Sequence, residues 1–141
     1  MHFALSSRLP LFWLLGAGAL CAWPAAPAAA QQASTRRLLN QAERTARHGH
    51  PDEAAQKYQQ VLLADPNNLE ANFGYGSFLL TRKRELETAR QCLRKVYDQN
   101  PGYNPQLAFR LGQAYHLLSQ YAEAVPLFET AVQALSNTPS A

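Results

Sequence analysis

The feature that most constrains this chain is a self-similarity with a step of about 35 residues. Ala54, Ala89 and Ala124 are spaced 35 apart, as are Tyr58, Leu93 and Phe128, then Val61, Val96 and Ala131; Pro66 and Pro101 keep the same step. Upstream of each set lies a small residue (Ala42, Gly76, Gly112), followed three positions later by Thr45, Leu79 or Tyr115. Columns held in register over three copies define an internal repeat. A unit of this length cannot bury its apolar face alone, and stacked copies share a continuous core.

Within a copy the apolar spacing is helical. Leu107, Leu111, Ala114, Tyr115 and Leu118 recur at three and four residues, as do Ala124, Phe128, Ala131 and Leu135, with Ser119-Gln120 as a break between them. The boundaries carry stop and start chemistry. Asn104-Pro105 sets a capping side chain before a proline suited to the first helical position. Gly49 closes one helix, and Pro51-Asp52-Glu53 opens the next with carboxylates at its positive end. Pro66 and Pro101 end the second helices of copies one and two, and Pro126 lies early in the last helix. Six helices are expected, at about 35–47, 51–64, 69–81, 85–99, 105–118 and 121–135. The step from Gly76 to Ala89 is one residue longer than its counterparts, which predicts an extra residue in that turn.

These columns resemble the tetratricopeptide repeat (TPR): a small residue mid-helix one, an alanine opening helix two, an aromatic four later, another small residue and a closing proline. Tyr75-Gly76 with Ala89 and Pro101, and Leu111-Gly112 with Tyr115, Ala124, Phe128 and Ala131, carry the pattern best. Departures are Leu38, Asn72 and Ala108 at the first-helix tryptophan, Gln41 and Thr45 in copy one, and Ser136 in place of the last proline. The resemblance implies an all-α fold, three stacked antiparallel helix pairs in a short right-handed solenoid: a leader over 1–30, a linker over 31–34, repeats over 35–68, 69–104 and 105–138, and a tail over 139–141. It also implies a concave groove lined by first helices. Carried over position by position, that groove takes Arg36, Leu39, Glu43 and Arg47 from copy one; Phe73, Ser77, Leu80 and Thr81 from copy two; and Gln106, Phe109, Gln113 and His116 from copy three. Such a mixture suits an extended peptide or a partner helix. The Lys/Asn/Arg clamp by which some members hold C-terminal carboxylates is missing from these positions.

Composition adds a destination. Of the first 30 residues 21 are apolar, against 45 of the remaining 111, so the overall 47% averages a greasy leader with an ordinary soluble chain. His2 and Arg8 precede an uncharged run from Leu9 to Leu20, and Ala28-Ala29-Ala30 offers small side chains for cleavage before Gln31. Leu9 to Trp23 is shorter than the ~20 residues of a spanning helix, so stable membrane insertion is not expected after cleavage. The expected location is a bacterial periplasm or cell envelope. Cys21 offers lipidation as an alternative, although Leu20 before it fits a lipid-attachment site poorly. Cleavage leaves Cys92 as the single thiol, read as a small apolar side chain on a helix flank, with an intermolecular bridge or a reactive thiol as the other reading.

Beyond residue 30 the chain holds 12 basic against 10 acidic side chains, too even for nucleic-acid binding by bulk charge. Arg82-Lys83-Arg84 falls in a turn and reads as solvated rather than as a phosphate contact. His48 and His50 lack an obvious third metal ligand, and no phosphate loop or nucleophile elbow is present. No enzyme activity, cofactor or metal is therefore expected. Asn72 to Leu79 resembles a segment of the repeat lipoproteins that assist type IV pilus secretin assembly (pilotins), and the last repeat resembles those preceding peptidoglycan-binding domains. No polar capping helix follows the last pair, so Val125, Leu127, Val132 or Leu135 is expected to lie under-covered, an edge open to a partner or to a second copy in a homo-oligomer. The resulting expectation is an exported scaffold that binds a protein or peptide.

Overall fold

A computed structural model describes residues 28–136. Those residues form six helices: α1 (Ala28–Arg47), α2 (Pro51–Ala64), α3 (Leu69–Thr81), α4 (Leu86–Gln99), α5 (Leu107–Leu117) and α6 (Tyr121–Ser136). Each odd helix packs on the even helix that follows it, and α2 meets α3 as α4 meets α5. The result is three stacked helix pairs, an all-α solenoid without a strand among the described residues. Residues 1–27 of the expected leader, with the Cys21 lipidation site, and the 139–141 tail lie outside the described residues, while Ala28-Ala29-Ala30, the expected cleavage stretch, forms the start of α1.

Expected bounds hold for α2 and α3 and shift by one or two residues in α4, α5 and α6. The larger difference is α1, which begins seven residues before its apolar periodicity does and runs through the stretch expected as a linker over 31–34. Ala28 to Ala33 holds only alanine and glutamine, both good helix formers, so propensity extends the helix where no tertiary face requires it. At α5 the expected Asn104 cap is displaced: the N-cap is Gln106, without a side-chain cap hydrogen bond, and Asn104 Oδ1 instead accepts from Gln106 N at 2.8 Å in the turn before the helix. Pro105 and Gln106 form a turn ahead of the helix instead of its first residues.

The repeat columns are the core. Ala54, Ala89 and Ala124 are buried, as are Val61, Val96 and Ala131. The small residues act as anticipated in copies two and three. A Cβ at Gly76 would stand 3.0 Å from the Leu93 side chain, and one at Gly112 would stand 2.9 Å from the Phe128 ring. Each glycine thus sets how closely its helix pair packs. Asn72 fills the family's tryptophan position in copy two, buried, its Nδ2 donating to the carbonyls of Pro66 at 3.0 Å and Asn68 at 2.8 Å. Asn72, Tyr75, Gly76 and Leu79 are all buried, so the stretch from Asn72 to Leu79 coincides with packing positions of the repeat.

The three turns inside the pairs share one geometry. The amides of His50, Arg84 and Gln120 donate to the carbonyls of Thr45, Leu79 and Tyr115, and the preceding amides of Gly49, Lys83 and Ser119 donate to Ala46, Leu80 and His116. This double bond closes a helix only through a left-handed residue, and Gly49, Lys83 and Ser119 have φ of 84°, 51° and 61°. The α3–α4 turn is one residue longer, as the Gly76–Ala89 step requires, and its added residue, Glu85, is also left-handed at φ 44°. Only copy one places a glycine in the shared position. Ser119→Gly is therefore expected to raise stability by up to about 1 kcal/mol, measured as an increase in the midpoint of urea unfolding at unchanged slope.

Candidate partner-binding groove

The faces of α1, α3 and α5 turn toward a chain of clefts. The largest, about 740 Å³, is walled by Ala46 of α1, by Tyr58 of α2, by Gly74, Ser77, Phe78 and Thr81 of α3, and by Arg110 of α5. Two smaller ones adjoin it: one of about 370 Å³ between Leu80, Thr81, Lys83, Gln113 and His116, and one of about 470 Å³ between Gln106, Phe109, Gln113 and Leu135. Arg110 lines all three. Its guanidinium is held by Gln106 Oε1, which accepts from Nη2 at 3.0 Å. Ser77 Oγ is buried without a hydrogen-bond partner in the wall of the largest cleft.

Among the expected groove residues, Ser77, Leu80, Thr81, Gln106, Phe109, Gln113 and His116 line these connected clefts. Phe109 is 47% exposed and meets Phe128 at a ring separation of 5.8 Å. Arg36 and Leu39 line a separate depression of about 420 Å³ near Asp65 and Asn68. Leu39 and Leu80 are core residues that reach a cleft only by an edge, because each flanks the stripe that packs against its partner helix. Phe73 lies half-buried with its ring edge against Tyr103, at 5.7 Å between centroids. Arg47 pairs with Glu43 at 2.8 Å on the surface of α1.

Four residues in or beside this surface were not read from the sequence as groove residues: Glu70, Tyr58, Gly74 and Arg110. Glu70 occupies the copy-two place of Arg36 and Gln106, which the register alone could have supplied. Burial, together with the charge and hydrogen bond of Glu43, pushes its carboxyl above the usual range. Tyr58, buried beside both carboxylates and near Tyr103, is pushed up to about 12. Gly74 lies under the Tyr58 ring, where a Cβ would come within 2.5 Å of it. Arg110 lies between the groove residue Phe109 and the packed Leu111, and shares its column with Asn40 and Gly74, so no column of like residues marks it. Because Glu70 holds its proton more tightly folded than unfolded, stability falls as pH rises through its raised value. Glu70→Gln should therefore raise the unfolding midpoint at pH 7, by less than about 1 kcal/mol given its solvent exposure. The difference should vanish below about pH 4.

Arg82 and Lys83 of the basic turn also line these clefts, whereas the histidine pair and Cys92 line none of them. Arg82 pairs with Asp52 at 2.7 Å and covers the Phe78 ring, so the basic turn ties copy two to copy one. His48 and His50 are exposed in the α1–α2 turn. Among the described residues no three His, Cys, Asp or Glu side chains gather as metal ligands, and no helix is long and apolar enough to cross a membrane. Cys92 is buried against Gly76, and burial pushes its thiol up, which disfavours the thiolate. At the open edge Val125, Val132 and Leu135 are more than half exposed, whereas Leu127 turns into the core.

Similar proteins bear on this geometry. No curated protein matches the chain. A solved structure of the second TPR domain of Spaghetti (RPAP3), bound to the HSP90 peptide SRMEEVD, superposes with a TM-score of 0.63 at 20% identity, covering 75% of this chain and 98% of that one. MamA superposes equally well, with a TM-score of 0.63 at 20% identity; the match spans 75% of this chain and 61% of MamA. The tetratricopeptide repeat pattern itself matches residues 39–104 and again 84–139. With nearly all of the helical region matched, the chain belongs to the tetratricopeptide repeat family.

Proposed function

We propose that this chain is an exported, non-enzymatic scaffold of the bacterial envelope that holds a protein segment in the groove of α1, α3 and α5. The observation that carries the reading is Arg110, a fixed cation at the meeting point of three clefts on the first-helix face. Lys83, Arg110 and His116 line the cleft between copies two and three. An extended segment with a carboxylate at that end of the groove complements them. The peptide held by the second TPR domain of Spaghetti supports the class of ligand. The export reading rests on the apolar leader and its alanine-rich close.

Capture from envelope extract tests this reading. The intact chain should recover a discrete partner, and a Phe109→Ser/Arg110→Glu variant should lose it while its helical circular dichroism stays unchanged. Equal recovery by both chains contradicts the groove.

A further inference from the structure

The outer face of α6 repeats a surface that the two earlier copies turn toward the next copy. Three columns make it: Ala55, Arg90, Val125; Gln59, Arg94, Glu129; and Leu62, Tyr97, Val132. In copies one and two the helix of the next copy buries Ala55, half-buries Arg90, Leu62 and Tyr97, and hydrogen-bonds to the exposed Gln59 and Arg94. Gln59 Nε2 donates to the Tyr75 hydroxyl of α3, Arg94 Nη1 donates to the Tyr115 hydroxyl of α5 at 3.1 Å, and Arg90 stacks on the Tyr115 ring. In copy three Val125 is 54% and Val132 65% exposed, and with Glu129 they line a depression of about 430 Å³.

We propose that this face binds an amphipathic α-helix of another protein, whose apolar stripe carries a hydrogen-bond donor (a Lys, Arg or Tyr side chain) facing Glu129. The inference rests on the chain being a protein-binding scaffold and adds a second surface to the groove. Two observations fix the chemistry. The middle column supplies a donor in copies one and two but an acceptor in copy three, so the covering helix must supply the donor there. In addition, α6 contains Glu123 and Glu129 and no basic residue, so a cation is favoured opposite it.

The same register argues against a second copy of this chain. First-helix positions buried in copies two and three (Ala71, Tyr75, Leu107, Leu111) are Arg37 and Gln41 in copy one, both exposed. Head-to-tail stacking would press these polar groups onto Val125 and Val132. Two-fold pairing of α6 with α6 would centre the stripe on Glu129 and bring two carboxylates together.

The test uses a fluorescent peptide with the sequence of residues 104–118, stapled on its solvent side, because this segment covers the same columns one copy earlier. Fluorescence anisotropy with the whole chain should show saturable binding, weakened about tenfold or more by Val132→Asp. Val125→Asp should act alike, and circular dichroism verifies that both exposed substitutions leave the fold intact. Glu129→Gln should weaken binding several-fold, and that loss should disappear with a Tyr115→Phe peptide. No saturable binding, or binding indifferent to Val132→Asp, overturns the inference. Loss on Arg110→Glu with no effect of Val132→Asp places the peptide in the groove and overturns the edge alone. Dimerisation of the chain in sedimentation equilibrium, abolished by Val132→Asp, assigns the face to a second copy and overturns it as well.

Discussion

Truncating Leu93 to alanine is expected to cost about 2–5 kcal/mol, enough to leave much of the chain unfolded at room temperature. Leu93 is fully buried and stands against Gly76, on the seam between α3 and α4. Among the described residues the middle pair is the one covered on both sides, by α2 and by α5. A void there removes contacts that hold the outer pairs as well, since each repeat is stabilised mainly by its neighbours. Urea unfolding followed by circular dichroism measures the loss. A change below about 0.5 kcal/mol would mean that the α3–α4 seam is not where the stack is held.

The second large effect comes from the opposite change at the same seam. Gly76→Leu should destabilise by about 1–3 kcal/mol or more. A Cβ alone would already stand 3.0 Å from the side chains of Cys92 and Leu93 and 3.2 Å from the Ala89 carbonyl oxygen. Two of these neighbours are buried side chains and the third is helix backbone, so none can swing into solvent. The thermal midpoint should drop by about 5 °C or more. Combining Gly76→Ala with Leu93→Ala should cost less than the two changes summed, because the shortened side chain opens room for the new methyl. Additive losses in that cycle would contradict the pairing of these residues.

Much of the fold was legible because a repeat supplies its own controls. Ala54, Ala89 and Ala124 tell the same story three times, and the one-residue surplus between Gly76 and Ala89 is visible only against its neighbours. Two things were hidden. The seven residues by which α1 extends toward the N-terminus carry propensity without periodicity, and periodicity was the signal used. Gly74 has no column partner of its kind; the Tyr58 ring reaches it across the boundary between copies, a contact set by how the pairs stack. The groove was legible in part for the same reason. Register supplied Ser77, Thr81, Gln106, Phe109, Gln113 and His116, but the burial of Leu39 and Leu80 depends on the helices packed against them, and Arg110 shares its column with Asn40 and Gly74, so no like residues mark it.

The groove proposal requires that the segment it holds lie on the first-helix face and not on the exposed side of α4. Site-specific photocrosslinking in intact cells addresses it most directly, with benzoylphenylalanine placed at Phe109 in the groove or at Gln91 on the exposed side of α4. The account predicts a discrete crosslinked partner from position 109 that is lost on Arg110→Glu, and none from position 91. Adducts from position 91 alone, or from both positions regardless of Arg110, would contradict it.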